Sequence, residues 1–440
     1  MSRVRSRSSR VVAAQMSKTS PAASNNGALK SPSIRTAPAK PLLSLTLATH
    51  NRARYLDRYL THHITAFESA GLDYELVVSD NCSTDETPRI LERFAQRHKR
   101  MRVVRQDTNI GAYKNISYVL NEARGEIVLN IADDDVMVSH QLLNYVRRMD
   151  ENRNLVMIQA PWFLVDETRD NAITGKFYDF DGERTFGRYD YAQCLEFIIN
   201  HHVFPECWLL RTSAVQSVVG ERHSFAYTFF NMLTRALGLG DVLFSPDPHI
   251  AATAIAKGDN AHVGNGELME GWDMYRGGLE MLASHARQYQ PGSMNNPALL
   301  AHAIQSFTLQ RMSVAARFHA LAGKWSNTYH LQRRIHAYGG ECKLHIDHDN
   351  VSRLASIETA ISECLGLGAE EIVVDDRVSQ DLLDFLKLPE SARVVRRADA
   401  SGDGRRTAFA TVGNAEGITM GPKDFSYDLL AAMHRFPALP

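Results

Sequence analysis

Cysteine is scarce in this sequence, and long hydrophobic runs are absent. Five cysteines are scattered through 440 residues, and neither their odd number nor their spacing suits a disulfide framework or a zinc site, which fits a reducing compartment. No stretch approaches the roughly 18 consecutive apolar residues of a membrane-spanning helix, and no hydrophobic signal core is visible. We therefore expect the body of the protein to be cytoplasmic.

Acidic residues are missing from residues 1–40, which hold eight Lys and Arg side chains. The formal charge of the whole chain is −1, so the remaining residues are net acidic. The segment is rich in Ser, Arg, Ala and Pro and has few large apolar side chains to bury, which predicts a disordered basic tail. A solvated extension is the simplest interpretation. A targeting peptide, or a peripheral contact with anionic lipid at the inner face of the plasma membrane, is the alternative. We expect no nucleic-acid partner.

Strand and helix patterns alternate from residue 41 to about residue 150. Residues 41–48, 74–79 and 101–104 predict strands, and each is followed by apolar residues at helical spacing. Residues 127–132 form a nearly continuous apolar run, which is typical of a strand buried on both faces of a parallel sheet. This order predicts an α/β fold, Rossmann-like, with a mostly parallel sheet and right-handed crossovers.

Three adjacent carboxylates, Asp133, Asp134 and Asp135, end the apolar run. Ligands of open α/β sheets bind at the carboxyl ends of the strands. Neighbouring acids repel one another unless a cation or solvent offsets their charge, so the pattern favours a divalent metal site. The alternative is a solvated loop in which Asp135 or Ser139 merely caps the next helix.

Three more polar loops are predicted at the same edge of the sheet, over residues 49–52, 80–85 and 107–115. The first of them contains no glycine. A sugar nucleotidyltransferase would need a glycine-rich phosphate loop at that place, and a dinucleotide-dependent dehydrogenase would need G-x-G-x-x-G. The sequence therefore disfavours both of these enzyme classes.

Four ordered motifs carry a resemblance to a known family. Residues 48–56 (ATHNRARYL), 77–85 (VVSDNCSTD), 109–115 (NIGAYKN) and 130–135 (NIADDD) resemble the motifs of the large inverting family 2 of GT-A-type glycosyltransferases. The resemblance covers about residues 41–165. It implies a GT-A fold, a nucleotide-diphosphate sugar donor, a saccharide or lipid-linked saccharide acceptor, and Mg²⁺ or Mn²⁺ as cofactor.

The resemblance also implies roles for individual side chains. Asp80 would hydrogen-bond the nucleobase, Thr49 and Asn51 would line the nucleoside pocket, and Asp133 and Asp135 would bracket the ribose and the metal ion. The expected nucleotide-sugar-binding residues are Thr49, Asn51, Arg52, Asp80, Asn81, Lys114, Asp133 and Asp134, and the expected metal ligands are Asp135 and Asp133. Carboxylates and diphosphate oxygens are normal ligands of Mg²⁺. For Lys114, a solvated helix lysine is the alternative.

The sequence departs from the family at the catalytic base. Members commonly carry an acid, often in a Glu-Asp pair, well beyond the metal motif, and residues 220–232 hold no such pair. An inverting transfer needs a base to accept the proton of the acceptor hydroxyl. Glu221 and His223 are the predicted catalytic residues, followed by Glu206 and Asp241. Residues 225–230 and 240–248 also resemble the abequosyltransferase-like branch, which moves deoxysugars in bacterial surface polysaccharides.

The chain is predicted to have four parts. These are the basic tail over residues 1–40, a GT-A glycosyltransferase domain over 41–275, a helical region over 276–338, and a shorter α/β unit over 339–440. Residues 344–350, 371–376, 394–396 and 417–422 echo residues 45–51, 75–80, 103–105 and 131–135 in the same order. Met420 and Pro422 then stand opposite the acids.

We interpret the last part as a degenerate GT-A-like half-domain that lacks metal binding and serves packing, homo-oligomerisation or acceptor docking. Chance similarity between two βαβ segments is the alternative.

The sequence as a whole predicts a metal-dependent glycosyltransferase that transfers sugar with inversion, in bacterial surface polysaccharide synthesis. Because the Glu-Asp pair is missing, the alternative is a non-catalytic nucleotide-sugar-binding scaffold or sensor. Slow release of nucleotide diphosphate from a donor would distinguish the enzyme from the binder.

Overall fold

The computed structural model describes residues 40–218, 227–255, 269–293, 296–387, 392–400, 405–411, 420 and 423–437. Its strands are β1 (Leu43–Thr49), β2 (Tyr74–Asp80), β3 (Met101–Arg105), β4 (Ile127–Asn130), β5 (Val136–Met137), β6 (Leu155–Gln159), β7 (Phe163–Asp166), β8 (Ala172–Lys176), β9 (Arg184–Phe186), β10 (Trp208–Arg211), β11 (Asp241–Phe244), β12 (Ile250–Ile255), β13 (Glu371–Val374), β14 (Val394–Arg396), β15 (Thr407–Thr411) and β16 (Phe425–Asp428).

Helices connect most of these strands. They are α1 (Ala53–Ser69), α2 (Thr87–Arg97), α3 (Ala112–Asn121), α4 (Ser139–Glu151), α5 (Tyr191–His201), α6 (Thr212–Gln216), α7 (Thr228–Leu239), α8 (Trp272–Tyr289), α9 (Pro297–Leu321), α10 (Trp325–Ala337), α11 (His348–Gly366), α12 (Gln380–Asp384) and α13 (Leu429–Arg435). None of the helices in the described ranges is long and apolar enough to cross a bilayer.

The main sheet is mostly parallel. Across the described residues its order is β3-β2-β1-β4-β10-β6-β11-β9. Strands β1 to β4 run parallel to one another, β10 runs antiparallel between β4 and β6, and β11 runs parallel to β6. The predicted α/β fold with a mostly parallel sheet is therefore confirmed.

Apolar packing on both faces explains why these segments form the sheet. Every residue of β2 is buried, and β1 is buried except at Ala48. Helix α1 covers one face with Leu56, Leu60, Ile64 and Phe67, which are all nearly inaccessible to solvent. The helical spacing of these side chains in the sequence arises because one side of α1 faces the core.

The carboxyl ends of β1, β2 and β4 meet at one edge of the main sheet. Because β10 is antiparallel to its neighbours, its amino end lies at this same edge. A second sheet, with the order β5-β12-β7-β8 across the described residues, begins directly after the three acids. The loop between β4 and β5 therefore lies between two sheets.

The C-terminal region contains a separate parallel sheet. Its order over the described residues is β14-β13-β15-β16, which reads 2-1-3-4 when these strands are numbered along the chain. The first four strands of the main sheet read 3-2-1-4 instead. The pair β13 and β14 is parallel, as is the pair β2 and β3.

The predicted counterpart of β1 at residues 344–350 is wrong, because this segment forms no strand. Asp347 instead accepts a hydrogen bond from the backbone N–H of Asn350 (2.7 Å) and caps the start of α11. The degenerate half-domain stays a prediction, and residues 417–419 and 421–422 lie outside the described residues.

Candidate active site

Asp133 lies at the centre of a buried cluster at the carboxyl edge. The register of β1 and β4 pairs Thr46 with Asn130, and the same offset brings Thr49 level with Asp133. Thr49 Oγ1 donates a hydrogen bond to Asp133 Oδ2 (2.6 Å), and Arg52 Nε lies 3.2 Å from Asp133 Oδ1. Both carboxylate oxygens are thus contacted by side chains from the first loop.

Burial sets the electrostatics of this cluster. It raises the pKa of Asp133 to about 7, although Arg52 and the hydrogen bond from Thr49 act in the opposite direction. Burial and the neighbouring charge of Asp134 also raise the pKa of Asp135. One arginine therefore does not fully compensate the adjacent acids, which makes this edge suited to a further positive charge.

Asp135 is held by the second sheet. Its Oδ1 accepts a hydrogen bond from the backbone N–H of Thr253 (3.1 Å), and Thr253 Oγ1 donates to the carbonyl oxygen of Asp134 (2.9 Å). Helix α4 begins at Ser139 after Val138, with no side-chain cap. The alternative that Asp135 or Ser139 caps this helix is therefore wrong.

Asp80 ends β2 with a fully buried carboxylate. Its Oδ1 accepts a hydrogen bond from the N–H of Ser83 (3.1 Å). Arg105 Nε lies 3.6 Å from Oδ2, which receives no hydrogen bond from the described residues. A buried carboxylate oxygen without a hydrogen-bond donor is suited to an N–H group of a ligand.

Asn81 and Asn51 connect the loops around Asp80. The N–H of Asn81 donates to the carbonyl oxygen of Thr49 (2.9 Å), and its side-chain oxygen accepts from the N–H of Ile110 (2.8 Å). Asn51 has a left-handed backbone with φ of 53° and accepts a hydrogen bond from the N–H of Thr84 (2.8 Å). These contacts join the three polar loops, and the contact of Thr49 with Asp133 joins them to the acids, so all four predicted loops meet at this edge.

Lys114 differs from the other predicted residues because it is exposed, in the first turn of α3. Gly111 precedes this helix with φ of 86°, a conformation that favours glycine. Asn115, one residue further, is buried and donates to the carbonyl oxygen of Ser79 (2.9 Å). Asn115 therefore fixes α3 to β2.

The donor set suits a hard divalent cation only in part. Within the described ranges, no group of three or more His, Cys, Asp or Glu side chains is arranged to hold a metal ion. Asp133 is 6% exposed and is engaged by Thr49 and Arg52, whereas Asp134 and Asp135 are half-buried. Asp135, assisted by Asp134, therefore fits a metal better than Asp133 does, with diphosphate oxygens as the remaining ligands.

The predicted catalytic residues Glu221 and His223 lie outside the described residues, so their roles stay predictions. Topology separates the two further candidates. Asp241 begins β11, which runs parallel to β6, so Asp241 lies at the opposite, amino edge of the sheet. Glu206 precedes the antiparallel strand β10 and lies at the edge that carries Asp133.

Two residues of the site were missed from the sequence. Thr253 comes from a strand more than a hundred residues beyond the acids, and no local motif marks it. Tyr59 lies on the buried side of α1. Its buried hydroxyl has no hydrogen-bond partner among the described atoms, and burial raises its pKa, followed by the charges of Asp133 and Asp135. The helical spacing of Tyr59 in the sequence does not indicate that its hydroxyl interacts with Asp133 and Asp135.

Solved structures resemble the chain over most of its length. Residues 1–349 of Staphylococcus aureus TarS, in complex with UDP-GlcNAc, align with a TM-score of 0.43 and 17% identity over 74% of this chain and 87% of TarS 1–349. The mannosyltransferase PcManGT from Pyrobaculum calidifontis, in complex with GDP-Man and Mn²⁺, aligns with a TM-score of 0.40 and 16% identity over 75% of this chain and 81% of that chain.

Sequence relatives cover a shorter part. An uncharacterized glycosyltransferase of Methanocaldococcus jannaschii is 25% identical over 130 residues, which are 29% of this chain and 44% of the relative. The poly(ribitol-phosphate) beta-N-acetylglucosaminyltransferase TarS of S. aureus is 28% identical over 116 residues, 26% of this chain and 20% of TarS. The chain thus spans less than half the length of these curated relatives.

The family match covers the part of the chain that forms most of the main sheet and carries the three acids. Residues 44–219 match the family model described as Glycosyl transferase family 2, so the chain carries a glycosyltransferase domain of family 2. The predicted family is confirmed. The abequosyltransferase-like branch stays a prediction.

Proposed function

We propose that this protein transfers a sugar from a nucleotide-diphosphate sugar to a hydroxyl group of a saccharide or lipid-linked saccharide, with inversion and with the help of a divalent metal ion. The observation that carries the proposal is the cluster of Thr49, Arg52 and Asp133 beside Asp80 at one sheet edge. These residues come from three separate loops. Their convergence is what a site for an extended ligand such as a nucleotide sugar requires.

Asp80 and Asn81 would hold the nucleobase. The buried Oδ2 of Asp80 can accept a hydrogen bond from a base N–H, and Asn81 keeps the β2 loop against the β1 loop. Asp133 would face the ribose, since Thr49 and Arg52 fix its orientation. The complexes of TarS with UDP-GlcNAc and of PcManGT with GDP-Man support a donor of this chemical class.

Asp135 and Asp134 would hold Mg²⁺ or Mn²⁺. The metal ion supplies a positive charge that stabilises the leaving nucleoside diphosphate. The residues of this chain keep the carboxylates in place, because Thr253 binds both the side chain of Asp135 and the backbone of Asp134. Lys114 lies at the exposed start of α3, and its ammonium group would add a positive charge beside the diphosphate.

We place the reaction in the synthesis of bacterial surface polysaccharides. Support for this role comes from the sequence resemblance to the abequosyltransferase-like branch and from the similarity to TarS, a poly(ribitol-phosphate) beta-N-acetylglucosaminyltransferase.

A thermal-shift panel tests the donor site. We expect one nucleoside diphosphate, from UDP, GDP, CDP, ADP and dTDP, to raise Tm with Mn²⁺ and to do so less without it, because a ligand that binds only the folded state stabilises it. The matching nucleotide sugar should then release its nucleoside diphosphate slowly in the presence of Mn²⁺. A panel without any shift would contradict the donor site, and binding without hydrolysis would favour a scaffold or sensor.

A further inference from the structure

Glu206 lies at the same sheet edge as the three acids. Strand β10 pairs Leu209 with Leu129 of β4 in antiparallel register. Continuing this register toward the edge brings Glu206 level with Ala132, the residue directly before Asp133. The topology therefore places a fourth carboxylate beside the donor-binding acids, on the side of β10 instead of the side of β1.

The helical region holds this carboxylate. Tyr275 of α8 is 2% exposed, and its hydroxyl donates a hydrogen bond of 2.6 Å to Glu206 Oε1. Arg311 of α9 lies with its guanidinium carbon 4.2 Å from the ring centre of Phe204 and 6.0 Å from that of Tyr275. Two helices outside the main sheet thus converge on the segment that carries Glu206.

Electrostatic interactions connect Glu206 with both sides of the site. Burial raises the pKa of the Cys207 thiol, and the charges of Asp135 and Glu206 raise it further. Burial also lowers the pKa of the Arg311 guanidinium, while Tyr275 and Glu206 oppose this effect. Glu206 is therefore close enough to interact with Arg311 and shares a neighbour, Cys207, with Asp135.

We propose that Glu206 is the base that accepts the proton of the acceptor hydroxyl, and that Tyr275 and Arg311 position its carboxylate. This assignment rests on the function proposed above. The acceptor oxygen would form a bond to the anomeric carbon while the bond from that carbon to the phosphate oxygen breaks. The bonding electrons leave with the nucleoside diphosphate, and the hydroxyl proton moves to Glu206.

Other described carboxylates suit this role less well. Asp133 is engaged by Thr49 and Arg52, and Asp241 lies at the opposite edge of the sheet. A purely structural role, in which Glu206 only anchors α8 through Tyr275, makes a different prediction. Its loss would then lower stability and leave the rate of the folded enzyme unchanged.

The experiment compares Glu206→Gln with Asp241→Asn, which is the same chemical change at the opposite edge. The donor is the nucleotide sugar selected by the thermal-shift panel, with UDP-GlcNAc and GDP-Man included, and the assay measures release of nucleoside diphosphate. We expect Glu206→Gln to lower kcat at least a hundredfold, which is the usual contribution of a general base. Its KM for the donor and its thermal shift with nucleotide and Mn²⁺ should stay within twofold of the wild type. Asp241→Asn should keep its kcat within twofold.

Tyr275→Phe and Glu206→Asp complete the test. We expect Tyr275→Phe to lower kcat several-fold with an unchanged donor KM, and Glu206→Asp to retain more activity than Glu206→Gln. If Glu206→Gln does not fold, Glu206→Asp decides alone, since a shortened base should lower kcat while nucleotide binding persists. A folded Glu206→Gln or Glu206→Asp variant with wild-type kcat would overturn the assignment. A large loss in Glu221→Gln or His223→Gln, without one in Glu206→Gln, would also overturn it. Nucleotide binding tests the proposed function, whereas the kcat of the variants tests the role of Glu206. Each proposal can therefore be contradicted without the other.

Discussion

The main sheet and the C-terminal sheet each bury a glutamate at the amino end of a parallel strand. Glu75 of β2 accepts a hydrogen bond from Ser44 (2.6 Å) and pairs with Arg102 of β3 (3.4 Å). Glu371, the first residue of β13, lies 2.7 Å from the Nε of Arg393, which directly precedes β14. In both sheets an arginine from the neighbouring parallel strand offsets the buried charge.

The carboxyl ends of the two sheets differ. After β13, Arg377 donates hydrogen bonds of 2.8 and 2.7 Å to the carboxylate of Asp375, and Asp376 is exposed. After β4, burial raises the pKa of Asp133 and Asp135 despite the nearby Arg52. In the C-terminal sheet the charge of Asp375 is offset by the adjacent Arg377, whereas the crowded acids after β4 are offset only in part by Arg52 and are therefore suited to a cation.

The largest expected effect comes from Asp135→Ala. We expect metal-dependent release of nucleoside diphosphate to fall about a thousandfold, because a metal ion contributes several kcal/mol to stabilising the leaving group. The matched control is Asp376→Ala, which removes an exposed acid from the carboxyl end of the other sheet. Its rate should equal that of the wild type. Full activity of Asp135→Ala with Mn²⁺ would contradict the metal role of Asp135. The carboxyl ends of the main sheet and of the C-terminal sheet would then not differ in function.

Asp80→Asn should have the next largest effect. The substitution replaces a buried carboxylate that can accept a hydrogen bond from a base N–H by a neutral amide. We expect the Kd of the selected nucleoside diphosphate to rise about tenfold to a hundredfold, since a hydrogen bond to a charged group contributes roughly 1.5–3 kcal/mol. Isothermal titration calorimetry measures this Kd, and the control variant Asp376→Asn should keep the wild-type value. An unchanged Kd would mean that Asp80 only supports the loop through Ser83.

Much of the carboxyl edge of the main sheet could be predicted because it is formed by strands and loops that the sequence pattern marks directly. Alternating strands and helices predict parallel strands, and the carboxyl ends of parallel strands meet at one edge. Asp80 ends β2 and Asp133 lies three residues beyond β4, so their approach to Thr49 and Arg52 required no knowledge of side-chain packing.

The contacts made by antiparallel strands could not be predicted in this way. β10 and β12 reach the edge from distant parts of the chain, so the positions of Glu206 and Thr253 depend on their register with β4 and β5. The C-terminal sheet shows a second limit. Residues 344–350 share an apolar pattern with β1, but the Asp347 cap favours a helix and β15 takes the place beside β13.

Neutralising the buried glutamate at the amino end of β2 or of β13 should lower stability by a similar amount and leave nucleotide binding unchanged. We expect Glu75→Gln and Glu371→Gln each to lower the free energy of unfolding by roughly 1–3 kcal/mol, because each removes the buried charge that pairs with an arginine. Arg102 and Arg393 remain partly exposed, which limits the cost. Urea unfolding measures the stability, and the nucleotide Kd should stay within twofold. A tenfold rise of Kd in Glu75→Gln would show that this end of the sheet also supports the site.

The last expected effect is a difference in acid sensitivity. Burial lowers the pKa of His63 and of His249 from the ordinary value of 6.5 to about 3, whereas none of the described histidines after residue 339 is buried. Between pH 6.5 and about 3 the unfolded chain binds more protons than the folded protein at His63 and His249. Stability therefore falls as the pH falls, by up to about 1.4 kcal/mol per pH unit for each histidine.

His249→Leu should weaken this pH dependence. Both ring nitrogens of His249 are buried without a hydrogen-bond partner among the described atoms, and the ring packs edge-on against Tyr145 at 5.5 Å. An apolar side chain of similar size should thus keep stability near the wild-type value at pH 7. The slope of unfolding free energy between pH 6.5 and 5 should become smaller, while the exposed-site control His345→Gln should leave it unchanged. An equal slope in His249→Leu would mean that His249 contributes nothing to the acid sensitivity.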